Sequence, residues 1–117
     1  MKIVTAMVQP FMLSKVTSAL EEINDFPGMT VTDARGFGRE KASHARGAPH
    51  RVIEDFVEYV KKARIEIVAP DEMVDLIVDT IVRTAHTGNP GDGKVFVWPV
   101  ERAVRIQTGD KDDAALR

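Results

Sequence analysis

Two glycine-bracketed turns in this chain carry residues that could bind an anion. Residues Gly36 to Arg39 read Gly-Phe-Gly-Arg, and residues Gly91 to Lys94 read Gly-Asp-Gly-Lys. Glycine lets backbone N–H groups approach an anion closely, and the cation beside it can then pair with the charge. Each turn taken alone is more typical of a surface turn beside a charge. The second turn is not a Walker loop, because neither serine nor threonine follows Lys94 and no helix is predicted there.

Four cations stand at the ends of predicted strands or loops: Arg39, Lys62, Lys94 and Arg105. Any one of them is typical of a solvated surface charge. All four together are explained jointly by a polyanionic ligand that is held between adjoining subunits.

The sequence contains no constellation of residues for catalysis. It has no cysteine, which excludes disulfides, thiolate metal sites and a cysteine nucleophile. His44, His50 and His86 are too scattered for a metal-ligand spacing. His44 and His50 share one segment, which leaves metal binding open there as an alternative to simple solvation. We expect a protein that is not an enzyme.

The elements that must position these residues follow a repeated β-α-β order. Alternating or β-branched runs predict strands, and apolar residues at helical spacing predict helices. Asp71 is the predicted N-cap of the second helix. The buried stripe of that helix is predicted to be Met73, Leu76, Ile77, Thr80 and Ile81. The predicted strands are Lys2–Val8, Met29–Phe37, Lys62–Val68 and Lys94–Val100, and the predicted helices run from Leu13 to the Pro27-Gly28 pair and from Glu72 to His86.

Two such units in 117 residues suit a single α+β domain over residues 1–117. The expected architecture is a ferredoxin-like sandwich, in which four antiparallel strands carry two helices on one face. The other face would expose apolar and aromatic side chains, and a patch of that size usually marks self-association. We therefore expect a homo-oligomer.

Three segments lie outside this pattern. Glu40 to Tyr59 shows no sustained period and is predicted to be a long exposed loop, which in a compact domain is usually functional. Val104 to Thr108 is predicted to be a polar strand-like run. Asp110 to Arg117 is predicted to be a polar tail.

The balance of charge argues against a nucleic-acid partner. Lysine plus arginine total 16 against 18 for aspartate plus glutamate, which gives a net charge of -2 and no global basic field. The sequence begins without a signal-peptide pattern and has no uninterrupted apolar stretch of transmembrane length. We expect a cytoplasmic protein that does not insert into membranes.

On these motifs the sequence resembles the PII nitrogen-regulatory signal-transduction proteins. The likeness covers the chain outside residues 42–61, and the Gly-Asp-Gly-Lys segment followed by an apolar strand is its most diagnostic part. The matching segments, in the family's order and spacing, are Gly28–Thr32, Gly36–Arg39, Arg64–Val68 with Pro70-Asp71, Thr87-Gly88, Gly91–Val97, Arg105-Ile106 and Thr108-Gly109.

The resemblance implies a homotrimer with a site for ADP, AMP or ATP in each cleft between subunits. It also implies that residues 40–61 form a regulatory loop that docks on a target protein, such as a membrane transporter or an enzyme. One subunit would contribute Met7, Gly36, Phe37, Gly38, Arg39, Glu40, Lys62, Glu66, Ile67 and Val68. Its neighbour would contribute Gly28, Met29, Thr30, Gly91, Asp92, Gly93, Lys94, Arg105 and Gln107.

The sequence departs from the family's pattern at three places. The modifiable loop tyrosine is absent, since the only tyrosine, Tyr59, lies at the base of the loop, so uridylylation is not expected. Glu40 stands where the family usually has a glutamine that helps hold the magnesium joining ATP and 2-oxoglutarate. A carboxylate there would repel the dianionic oxoacid, although it could take nucleotide-bound magnesium itself. Gln107 replaces a phosphate-binding arginine.

These inferences predict a nucleotide-binding regulator that prefers ADP or AMP at least as much as ATP. The alternative is a ferredoxin-like trimeric protein that binds metal or weakly hydrolyses nucleotides, because a shared fold alone does not decide function.

Overall fold

A computed structural model describes residues 1–38, 51–54 and 57–117 of the chain. Two short 3-10 turns, Pro10–Met12 and Asp112–Leu116, accompany the main elements. The strands and helices, numbered along the chain, are β1 (Lys2–Val8), α1 (Leu13–Glu21), β2 (Thr30–Gly36), β3 (Arg51–Glu54), β4 (Val57–Ala69), α2 (Asp71–Ala85) and β5 (Gly93–Pro99).

The strands form one antiparallel sheet in the order β2-β4-β1-β5, and β3 pairs with the beginning of β4. β1 lies at the centre, where Met7 pairs with Arg64 of β4 on one side and with Lys94 of β5 on the other. Each helix connects two strands that are not consecutive in the sheet, as a double β-α-β arrangement requires. The predicted ferredoxin-like α+β fold is confirmed.

The core lies between the helices and one face of the sheet. Alternate residues of β1 and β4 point to this face, since side chains along a strand alternate between its two sides. They pack against apolar residues spaced by three or four positions along the helices. The central buried residues are Val4, Ala6 and Val8 of β1, Ala63, Ile65 and Ile67 of β4, Val16 and Leu20 of α1, and Ile77 and Ile81 of α2.

The other face of the sheet is not covered by a helix of the described chain. Phe96 and Trp98 of the edge strand β5 are 47% and 46% exposed on it, beside Thr5 and Ile3 of β1. We refer to it as the open face. It agrees with the expected uncovered surface of apolar and aromatic side chains.

The predicted boundaries of the second helix need two corrections. Asp71 is not an N-cap, because the helix begins at Asp71 and Pro70 occupies the cap position. The carboxylate of Asp71 instead accepts hydrogen bonds from the Met1 ammonium at 2.7 Å and from Lys2 Nζ at 3.1 Å. These bonds lower the pKa of Asp71. The helix ends at Ala85 rather than His86.

The predicted stripe of the second helix is correct at Ile77, Thr80 and Ile81, which are buried, and wrong at Leu76, which is 52% exposed. Leu76 precedes Ile77 by about 100° around the helix, which turns it away from the core. Met73 is partly buried against the core.

Two predicted irregular segments are ordered by pairing between distant residues. Residues 51–54 and 57–60, predicted as exposed loop, pair as β3 and the beginning of β4. The predicted run from Val104 to Thr108 is not a strand, because the chain reverses there. Val104 bridges to Lys111, and Gly109 N–H donates to the Arg105 carbonyl at 2.7 Å. The predicted polar tail contains a 3-10 turn whose Leu116 is half-buried.

Candidate functional site

Several of the predicted site residues meet at the end of the sheet where β1 ends and β5 begins. Lys62 of β4 pairs with Ala34 of β2, Gly36 pairs with Val60, and Met7 pairs with Lys94. We call this group the lysine cluster, and its members are Met7, Gly36, Lys62 and the turn Gly91–Lys94.

Gly93 occupies a position in the lysine cluster that no other residue could take. Its φ is +114°, a backbone conformation that side-chain-bearing residues rarely adopt. A Cβ atom placed on it would lie 1.7 Å from the carbonyl oxygen of Met7. The close approach of β5 to β1 therefore requires a glycine where the turn ends and β5 begins.

Lys62 reaches across the cluster to the second glycine turn. Its Nζ donates a hydrogen bond to the carbonyl of Gly91 at 2.5 Å. Partial burial lowers the pKa of Lys62, and the nearby Asp92 carboxylate only partly offsets this. An ammonium that has lost part of its hydration gains more from an arriving anion than a solvated one does. Lys62 is therefore well suited to an anionic group beside this turn.

Asp92 braces the turn rather than facing outward. Its carboxylate accepts hydrogen bonds from Thr87 N–H at 2.8 Å, from Gly88 N–H at 3.0 Å and from the Thr87 hydroxyl. His86 Nδ1 stands 3.7 Å away. Partial burial alone would raise the pKa of Asp92, but these hydrogen bonds lower it below the usual range. Direct binding of a nucleotide by Asp92 stays a prediction, whereas its structural role is to hold Thr87–Asp92 closed.

Six further predicted residues line a cavity of about 970 Å³ beside the start of β2. Arg105 lines it, and its Nη2 donates to the carbonyl of Ala115 at 3.2 Å. We call this group the cavity cluster. Its predicted members are Gly28, Met29, Thr30, Glu66, Val68 and Arg105, and its apolar walls include Ile3, Phe26, Met73 and Leu116.

The cavity cluster has its own charge arrangement. Glu66 pairs in register with Thr30 of β2, and its Oε1 lies 3.2 Å from Arg64 Nε. Lys62 and Glu66 lie on the same side of β4, four residues apart, which corresponds to about 13 Å along a strand. The two clusters are thus separate regions of one chain.

This grouping differs from the division that the resemblance implied. Gly91–Lys94 lies with Met7 and Lys62 because Gly93 pairs with Val8. Glu66 and Val68 lie with Gly28–Thr30 because β2 pairs with the second half of β4.

Some predicted residues stand outside both clusters. The side chain of Ile67 is buried against the helices, so only its backbone could face a ligand. Gln107 is exposed in the turn after Arg105. Phe37 and Gly38 are exposed at the end of β2. Arg39 and Glu40 lie outside the described residues, as do His44 and His50.

Sequence reasoning missed two contributors to the lysine cluster. Thr87 supplies two of the bonds to Asp92, a pattern that its hydroxyl, the following glycine and the aspartate could have suggested. Gln9 lies beside Gly91, where its Nε2 would be 3.0 Å from a Cβ on that glycine. Nothing in the local sequence indicates the position of Gln9.

The described part of the chain lacks two features that other functions would need. Over those residues, no group of three or more histidine, cysteine, aspartate or glutamate side chains could hold a metal ion. Within the same ranges, no helix has both the length and the apolar character needed to cross a membrane.

Comparison with known proteins gives consistent similarities over the whole chain. A family model described as "Nitrogen regulatory protein P-II" matches residues 1–110. The chain is 49% identical to nitrogen regulatory protein P-II 1 of Escherichia coli K12 over 116 residues, covering 99% of this chain and 100% of that protein. It is 48% identical to the P-II protein of Klebsiella oxytoca and 44% identical to that of Haemophilus influenzae, with the same coverage.

Proposed function

Since the chain belongs to the P-II family of nitrogen regulatory signal-transduction proteins, we propose that it senses adenine nucleotides at a site shared between two copies of itself. The membership confirms the resemblance carried by the two glycine turns and the flanking strands. The proteins of this family are regulators rather than enzymes in general. Adenine-nucleotide binding is a general property of the family, and the shared site and its ligand preference are our proposal for this chain.

The separation of the two clusters supports a shared site. The lysine cluster offers the ammonium groups of Lys62 and Lys94, the turn Gly91–Lys94 and Gly36, which suit phosphate groups. The cavity cluster offers apolar walls, which suit a flat base and its sugar, and Arg105 and Arg117 also line the cavity. Because Lys62 and Glu66 lie on the same side of β4 but about 13 Å apart along it, a second copy that set its cavity cluster against the lysine cluster would complete the site.

Self-association is the natural arrangement for the open face. Exposed Phe96 and Trp98 on an edge strand favour burial against another subunit. We infer that the protein is a homotrimer, as the resemblance implied. Sedimentation equilibrium should give the mass of three chains, and a monomer at micromolar concentration would contradict the shared site.

The observation that carries the proposal is Lys62, partly desolvated and hydrogen-bonded to Gly91 between the two glycine turns. Calorimetric titration with AMP, ADP and ATP in magnesium tests it directly, with GDP as the control for base selectivity. We expect binding of adenine nucleotides and weaker binding of GDP. If none of the three adenine nucleotides binds, the proposal is wrong.

The ligand preference follows from the charges around the phosphates. Gln107 stands where the family's pattern has a second phosphate-binding arginine, and the loss of a charge-assisted contact costs about 1.5 to 3 kcal/mol. The resemblance places Glu40 near the same phosphates, where its carboxylate would add a negative charge, so both changes would act most strongly on a γ-phosphate. We propose that ADP or AMP binds at least as tightly as ATP and that 2-oxoglutarate adds little to the affinity for ATP.

A double variant tests this charge argument. Glu40→Gln combined with Gln107→Arg should shift the preference toward ATP in the same titration. Magnesium bound through Glu40 would reduce the effect, so each titration is repeated with EDTA. A wild-type protein that clearly prefers ATP, and prefers it more in 2-oxoglutarate, would show that the charge count is the wrong explanation.

The regulatory output is proposed to run through residues 40–61, which would dock on a transporter or an enzyme. The nucleotide can shift this segment only by interacting differently with its alternative states. The alternative is a ferredoxin-like trimeric protein that binds metal through His44 and His50 or weakly hydrolyses nucleotides, and no observation on the described residues favours it.

A further inference from the structure

Two aromatic rings connect the first glycine turn to the β3–β4 hairpin. Phe37, between Gly36 and Gly38, packs edge-to-face on Tyr59, with ring centroids 6.4 Å apart and planes at 64°. The Arg35 guanidinium carbon lies 6.0 Å from the centroid of the same Tyr59 ring. Tyr59 is thus held by the two side chains that flank Gly36.

Tyr59 also belongs to the hairpin. It pairs with Val52 across β3 and β4, and its neighbour Val60 pairs with both Arg51 of β3 and Gly36 of β2. The hairpin is therefore linked to the glycine turn by backbone pairing at Val60 and by ring packing at Tyr59. The second link is a side-chain contact that can be removed without removing a backbone hydrogen bond.

The turn itself has room to move. Among the described residues, Gly38 has no atom within 4 Å of the position of a Cβ, and Gly36 has only ordinary contacts at 3.8 Å or more. Phe37 belongs to this turn and is 64% exposed. A ligand that repositions Gly36–Gly38 would move the ring of Phe37 and with it the packing partner of Tyr59.

We infer that Tyr59 is a positioning residue that transmits the state of the Gly36–Gly38 turn to the β3–β4 hairpin through its contact with Phe37. The inference rests on the proposed function, since it assumes that the turn meets a nucleotide. Coupling requires that the ligand favour one arrangement of the contact over another, and ring pairs of this geometry are strong enough for an effect of about two- to tenfold.

Hydrogen–deuterium exchange of residues 51–60, with and without saturating ADP, measures this coupling. In the wild type we expect ADP to change the exchange rate of the hairpin amides about two- to tenfold. Tyr59→Ala should abolish the ADP-dependent change while leaving the affinity for ADP within about threefold, because Tyr59 is not part of either cluster. Tyr59→Leu serves as a second variant that keeps bulk and removes the ring.

Two controls separate coupling from a loss of structure. Tyr59→Phe keeps the ring and should retain the ADP-dependent change. Lys61→Ala alters an exposed residue of the same strand, two positions away, and should behave as the wild type. An ADP-dependent change of wild-type size in both Tyr59→Ala and Tyr59→Leu would overturn the inference, as would a wild type that binds ADP without any change in the hairpin. A wild type that binds no adenine nucleotide would instead refute the proposed function, and the inference with it.

Discussion

The two glycine turns look alike in sequence but differ in how firmly the fold holds them. In the Gly91–Gly93 turn both glycines have positive φ, and the Met7 backbone leaves no space for a side chain at Gly93. Asp92 in this turn accepts three hydrogen bonds. Gly36 and Gly38 have no positive φ, and no described residue crowds them. One turn is fixed by the fold, whereas the described residues leave space around Gly38 in which the other could adjust to a ligand.

This difference suits a sensor. A preformed turn beside Lys62 would offer a constant binding surface, and an adjustable turn would report whether it is occupied. The ligand's interaction with the adjustable turn is the one that can differ between two states, so regulation would depend on Gly36–Gly38 more than on Gly91–Gly93.

The largest expected effect is the loss of stability in Gly93→Ala. The added methyl group would collide with the Met7 backbone in a conformation that alanine disfavours, so β5 must shift or detach. We expect a loss of about 3 kcal/mol or more in the free energy of unfolding, measured by urea denaturation. Gly38→Ala is the matched control, and equal losses in the two variants would remove the contrast between the turns.

The next effect concerns the bonds that close the fixed turn. Asp92→Asn weakens three hydrogen bonds and should reduce stability by about 1 to 3 kcal/mol at neutral pH. Exposed Asp79→Asn, on the outer side of α2, should change it by less than about 0.5 kcal/mol. A loss no greater than that of the control would mean that Asp92 does not brace the turn.

The hydrogen bonds to Asp92 also predict how the stability of the protein depends on pH. The pKa of Asp92 is lower in the folded chain than in the unfolded one, so its contribution is complete above the unfolded value of about 4 and is lost as pH falls through the folded value. Acid unfolding curves of wild type and Asp92→Asn should therefore converge at low pH. Curves that stay parallel would contradict the assignment.

Lys62→Met should separate binding from stability. Because burial lowers the pKa of Lys62, the folded chain carries a cost for its charge at neutral pH, which diminishes only as pH rises through the folded pKa. Removing the charge also removes the bond to Gly91, and with solvent screening the net change in stability should stay within about 1 kcal/mol. The affinity for ADP should fall about tenfold or more by calorimetry. Lys61→Met is the control, and an unchanged affinity in Lys62→Met would remove the main support for the shared site.

Local patterns were sufficient to predict β1, the second half of β4 and most of the buried face of α2, since each has a period of its own. They failed where the partner is remote in sequence. Asp71 accepts a hydrogen bond from the amino-terminal ammonium, and β3 forms by pairing with β4. Gly93 must be glycine only because the strand register places it against Met7. The division of the site residues into two clusters likewise depends on strand register, which motif spacing does not contain.

The smallest effect is expected at the adjustable turn, in Gly38→Ala. With no atom of the described residues near the added methyl group and no positive φ, the substitution should reduce the freedom of the unfolded chain and stabilise the protein by about 0.4 to 1 kcal/mol. Alanine should also restrict the backbone of the folded turn and hinder it from adapting to phosphate, so the affinity for ADP should fall by about threefold. Urea denaturation and calorimetry on one preparation measure both quantities. If stability rises but affinity does not change, the turn binds without adapting, and the contrast between a fixed and an adjustable turn has no part in ligand recognition.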